Sequence, residues 1–166
     1  MASLNGTRLR LLAAELRAEM GRLEKTHSEI SVAQDELGGA GASRLAIYGA
    51  AALLETFYTG FEKALTRIAS VFGTFPEGPS WHRVLLEDAT LDLAKVRPPV
   101  VCRETATQLE RYLAFRHRFR NLYLFDLDLS LLRPLLADVP VVWACAQRDL
   151  LEFVGFLERL AGELEG

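Results

Sequence analysis

The chain has 166 residues, half of them hydrophobic and a quarter charged, with a formal net charge of −3. That composition describes one globular domain able to bury a full core without metal or disulfide help, and it argues against a generally basic nucleic-acid coat. Cys102 and Cys145 match no zinc or redox spacing and read as buried or idle thiols in a reducing compartment, so neither a metal site nor a cofactor is expected.

In chain order, nearly everything reads as helix. From Leu4 to about Leu37, residues Leu9, Leu16, Leu23, Ile30 and Leu37 recur at steps of seven, with Leu12 and Met20 on the same stripe, which predicts one long amphipathic helix within residues 1–40. The start, Met1 to Arg8, lacks the apolar core of a signal peptide. Gly38, Gly39, Gly41 and Ser43 supply a stop, a turn and an N-cap; with no strand before them and no Gly-Lys-Ser/Thr ending, they read as an interhelical turn rather than a phosphate loop. A second helix, Ser43 to about Phe72, carries Ile47, Ala51, Leu54, Tyr58, Phe61, Leu65, Ile68 and Phe72 in three-four alternation and should pack antiparallel on the first.

Gly73 to Ser80 breaks the chain, and Ser80 is placed to cap a short helix from Trp81 to about Leu93. Arg97-Pro98-Pro99 forces an extended turn, followed by a helix from about Arg103 to Tyr123. Asp128 or Ser130 is a candidate cap for the last helical stretch, which passes Pro134 and Pro140 and ends near Glu163. Pro140 either starts a new helix or kinks a continuous one. Residues 1–166 thus form a single all-α domain, an up-and-down bundle of four or five helices. No uninterrupted apolar run approaches the roughly 18 residues that span a bilayer, and a cytoplasmic protein without membrane contact is expected.

Charge is distributed unevenly. Between Arg103 and Arg120 there are five arginines, at 103, 111, 116, 118 and 120, against Glu104 and Glu110, whereas Asp149 to Gly166 holds one arginine against five acids. A confined anion site fits this pattern better than a long nucleic-acid track, and a symmetric dimer would double it. On a helix, Arg116, Arg120 and Tyr123 share one face and Phe115, Phe119 and Leu122 another. Guanidinium forks grip the oxygens of a phosphodiester in pairs, as lysines do not.

Arg116, Asn121 and Tyr123, with Phe115 before them and Phe125 to Asp128 after, resemble the signature of the HEPN superfamily, and more narrowly of the HepT-like toxins encoded beside a minimal nucleotidyltransferase. Phe57 to Glu62, Ser80 to Leu86 and Arg97 to Pro99 extend the likeness over about residues 45–160. The resemblance implies a homodimeric, metal-independent ribonuclease of a toxin–antitoxin module. In that family an arginine steadies the scissile phosphate, a histidine moves a proton as the 2′-hydroxyl attacks, and the nucleotidyltransferase adds AMP to the tyrosine. Arg116 would then be the phosphate ligand, with Arg120 and His117 also at the RNA, and Tyr123 the AMP acceptor.

Here the chain departs from the pattern, for Asn121 stands where the family has histidine, and an amide does not ionise near neutral pH. The reading is therefore an RNA-binding protein with weakened ribonuclease activity, or a non-catalytic adaptor that docks a nucleotidyltransferase and presents Tyr123 to it. A bundle that merely dimerises is the third option. His117 points about 100° from Arg116, which need not bring it to the same cleft. The register Arg111 with His117 also satisfies the looser superfamily spacing but puts Phe119 at the tyrosine position. A packed or capping role beside Trp81 is the favoured reading of His82, which remains the alternative proton carrier if its loop folds over the cleft. Asn121 also suits the irregular backbone of a helix end.

Overall fold

The computed structural model describes residues 4–39, 41–123 and 126–165. Among these residues five helices follow one another: α1 Gly6–Leu37, α2 Arg44–Phe72, α3 Trp81–Asp88, α4 Arg103–Phe119 and α5 Leu129–Glu165. Cross-bundle pairs fix their directions. Arg17, early in α1, reaches Glu158, late in α5, at 2.8 Å, and Glu15 reaches Arg67, late in α2, at 2.9 Å. The Tyr112 hydroxyl of α4 donates to the Leu135 carbonyl, early in α5, at 2.8 Å. Each long helix therefore runs antiparallel to its two neighbours, giving an all-α up-and-down bundle of α1, α2, α4 and α5 with α3 as a crosspiece in the α2–α4 connection.

The seven-residue stripe of α1 is buried throughout, as are Ala51, Leu54, Tyr58, Phe61, Leu65 and Ile68 of α2; Ile47 and Phe72, at the ends of that stripe, are only partly covered. Phe57 stands edge-on to Phe61 and Tyr112 at 5.0 and 5.5 Å, which ties α2 to α4. Gly60 is required by the α1–α2 crossing: a Cβ there would lie 2.6 Å from Leu23 Cδ2. Asn5 and Ser43 cap α1 and α2 by accepting from the Arg8 and Ala46 amides. Gly73 ends α2 with φ of 70°, a left-handed conformation that favours glycine.

Three expectations are corrected. The crosspiece α3 ends at Asp88 rather than near Leu93, because the buried Arg97 guanidinium draws the Asp88, Leu91 and Pro98 carbonyls into a compact turn instead of leaving them for helix. Ser80 precedes α3 without a side-chain capping bond; its carbonyl accepts from the Arg83 and Val84 amides. Helix α4 ends at Phe119, not Tyr123. The last helix passes through Pro134 and Pro140 without a break, and Asp128 Oδ1 accepts from the Ser130 amide at its start. By length and composition α5 is apolar enough to cross a bilayer, yet Leu132, Leu136, Val139, Trp143, Leu150 and Leu157 on it line the bundle core.

Candidate functional site

The last turns of α4 meet α2 on one side and the crosspiece on another. Arg116 points toward α2 and is 4% exposed. Its Nη1 donates to Glu62 Oε2 at 2.9 Å, and its Nε lies 3.5 Å from Glu55 Oε1 without a hydrogen bond among the described residues. Arg116, the phosphate ligand that the family resemblance implies, is thus enclosed within the protomer. Two carboxylates already neutralise the guanidinium, as desolvating a charge requires.

Glu62 has a second partner. The same Oε2 meets His82 Nδ1 at 2.6 Å, so one carboxylate oxygen bridges α3 and α4. The His82 ring stacks on Trp81 with centroids 3.6 Å apart, and Trp81 lies 5.5 Å from Phe75 of the preceding loop. That loop and the crosspiece thus bring His82 to Arg116. His117, the next residue along α4, stands edge-on to His82 at 5.3 Å. Arg120, at the C-cap, reaches Glu55 Oε1 at 3.2 Å with its side chain still more than half exposed.

The cluster therefore contains Glu55 and Glu62 from α2, His82 from α3, and Arg116, His117 and Arg120 from α4. Desolvation first, then His82 and Arg116, lower the His117 pKa, with Glu62 opposing. Burial, reinforced by Glu62, pushes the neighbouring Tyr58 phenol up, and it stays neutral.

Other candidates fall elsewhere. Asn121 Nδ2 donates to the His117 carbonyl at 2.8 Å, which closes the C-terminal end of α4. Tyr123 lies beyond the helix and is 72% exposed, so Arg116, Arg120 and Tyr123 do not share a continuous helical face. Arg111 turns to α5, where it pairs with Asp138 at 2.6 Å, and the register joining it to His117 is not realised as a contact. Phe125 lies outside the described residues. Glu55 and Glu62 were not singled out from the sequence; two carboxylates seven apart beside the apolar stripe of α2 are the signal that marks them. Among the described residues no group of three or more His, Cys, Asp or Glu is placed to hold a metal ion. A cleft of about 780 Å³ opens at the other end of α4, between Val100, Arg103, Phe153 and Phe156, away from this cluster.

The sequence matches the family described as HepT-like protein over residues 49–157, well over half of the chain. The matched span contains every residue of the cluster and Tyr123, and it omits the whole of α1 and the start of α2. No curated protein and no solved structure matches.

Proposed function

From the premise that this chain belongs to the HepT-like family of the HEPN superfamily, we propose that it is the RNA-directed component of a toxin–antitoxin module, a homodimeric metal-independent ribonuclease partnered by a minimal nucleotidyltransferase. The observation that carries this reading is the joined set of Arg116, Glu62, His82 and His117. A buried ion pair generally contributes no more to stability than apolar side chains of the same volume, so folding alone does not call for one here. Titratable groups gathered beside a surface strip of arginine are what phosphodiester cleavage needs. Because Arg116 is enclosed, direct phosphate contact falls to the exposed Arg118 and Arg120, with Arg116 holding the carboxylate that orders the site.

The test is incubation of the purified protein with single-stranded RNA in EDTA. Cleavage is expected, weakened when Arg118 and Arg120 are replaced by alanine and lost in Arg116→Ala. RNA that is neither bound nor cut would refute the assignment.

A specific observation favours the second reading, a non-catalytic adaptor: Asn121 is spent on the end of α4, while Tyr123 stands 72% exposed, open to a modifying enzyme. That reading prevails if Asn121→His creates nuclease activity in a protein that otherwise only binds its partner. Transfer of AMP from ATP by the nucleotidyltransferase, abolished in Tyr123→Phe, would identify the acceptor.

A further inference from the structure

Asn121 leaves the cleavage step without its proton carrier, because an amide neither takes nor gives a proton near neutral pH. The same cluster contains two imidazoles that can. Resting on the ribonuclease reading, we infer that His117 and His82 form the acid–base pair of this site, His117 receiving the proton of the ribose 2′-hydroxyl and His82 supplying one to the departing 5′-oxygen. Glu62 and Arg116 are positioning residues.

The geometry assigns the roles. Glu62 Oε2, 2.6 Å from His82 Nδ1, holds the proton on that nitrogen and leaves Nε2 as the working atom. Arg116 fixes Glu62 in turn at 2.9 Å, and the Trp81 stack sets the plane of the imidazole. Among the described residues His117 has no carboxylate partner at contact distance. It faces Arg116 and Arg120 from its own helix and His82 from α3, with Glu62 the acidic group that opposes them. These surroundings and its desolvation hold its pKa below the ordinary imidazole value, the direction a base at neutral pH needs. With ring centroids 5.3 Å apart, both can reach one phosphodiester.

The step balances without metal or oxidant. The 2′-oxygen bonds to phosphorus as its proton passes to neutral His117. The bond from phosphorus to the 5′-oxygen breaks, and that oxygen takes the proton of the His82 imidazolium. A 2′,3′-cyclic phosphate and a 5′-hydroxyl result, and exchange with water resets the two rings. A 2′-deoxy substrate is inert on this route.

The decisive experiment compares two substrates in EDTA with the full-length protein: an oligoribonucleotide, and uridine 3′-(p-nitrophenyl phosphate), whose leaving group needs no proton. On the oligoribonucleotide, His82→Gln and His117→Gln should each lower the rate by about 10²- to 10⁴-fold. On the activated ester, His82→Gln should recover most of the natural rate while His117→Gln does not. The bell-shaped pH profile of the natural protein should lose one limb in each variant. Melting curves show whether each variant is folded; glutamine keeps a donor for Glu62. Natural-level cleavage in both folded histidine variants overturns the pair and leaves the ribonuclease reading standing. Equal loss on both substrates in folded His82→Gln overturns its role as acid. No turnover of either substrate by the natural protein overturns the pair and the ribonuclease reading together.

Discussion

Glu62 is the residue on which the cluster depends, since a single oxygen of it accepts from Arg116 and faces His82 while the side chain is nearly excluded from water. Among the described residues, its removal leaves the buried Arg116 cation with the longer Glu55 contact alone. Glu62→Ala should therefore lower stability by about 3–5 kcal/mol, read as a shift of the urea midpoint, and Glu62→Gln by less, because its carbonyl still accepts from Arg116. His117 carries a pH consequence. Its folded pKa lies below its unfolded one, so its contribution is present in full above about pH 6.5 and is lost as pH falls through the lowered folded value. Thermal melts across that window should show a shallower acid decline in His117→Gln than in the natural protein. Asn121 illustrates the opposite case, a side chain at a signature position whose visible work is closing a helix end.

At the scale of the element, α4 is held at both ends by its neighbours. Its start is secured from α5: Asp149, 7% exposed, accepts from the Thr105 hydroxyl at 2.6 Å and the Cys102 amide at 2.9 Å. Burial works against ionisation of this carboxylate, but the bonds from Thr105, Cys102 and Arg148 prevail and hold its pKa below the usual range. Its stabilisation is thus complete above the ordinary carboxylate pKa near 4 and is lost as pH falls through the depressed folded value. Asp149→Ala should cost about 1–3 kcal/mol near neutral pH, measured by denaturant unfolding, with a flatter acid limb than the natural protein. The crossing of α1 and α2 allows a further test. Gly60→Ala drives a methyl into Leu23 and should destabilise by about 1–3 kcal/mol despite the better helix propensity of alanine.

For the whole molecule, the bundle order α1, α2, α4, α5 leaves the cluster at one end of α4, where the exposed Arg118, Arg120 and Tyr123 follow it. A homodimer joined near this end would bring two arginine strips together, whereas the acidic last turns of α5 lie toward the opposite end of the bundle, where Glu158 and Glu165 already pair with Arg17 and Arg10. Light scattering of the purified protein should return twice the 18.5 kDa chain mass. A monomeric mass at working concentration would remove the two-copy cleft.

The helices themselves were legible in the sequence because each is written in local terms. Steps of seven in α1, three-four alternation in α2, Ser43 and Asp128 as caps, and the Arg97-Pro98-Pro99 turn depend on neighbours within a few residues. The family resemblance was likewise readable from Arg116, Tyr123 and the blocks around Phe57 and Trp81, and the match over residues 49–157 bears it out. Tertiary structure alone decided that Arg116 is enclosed, that α3 stops at Asp88, and that His82 and His117 stand together. The stop at Asp88 rests on the carbonyls that Arg97 gathers, and the other two outcomes on the Glu62–Arg116 and Glu62–His82 contacts, 54 and 20 residues apart along the chain. No helical periodicity encodes such distances; they follow from how closely α2, α3 and α4 pack once apolar surface has been buried.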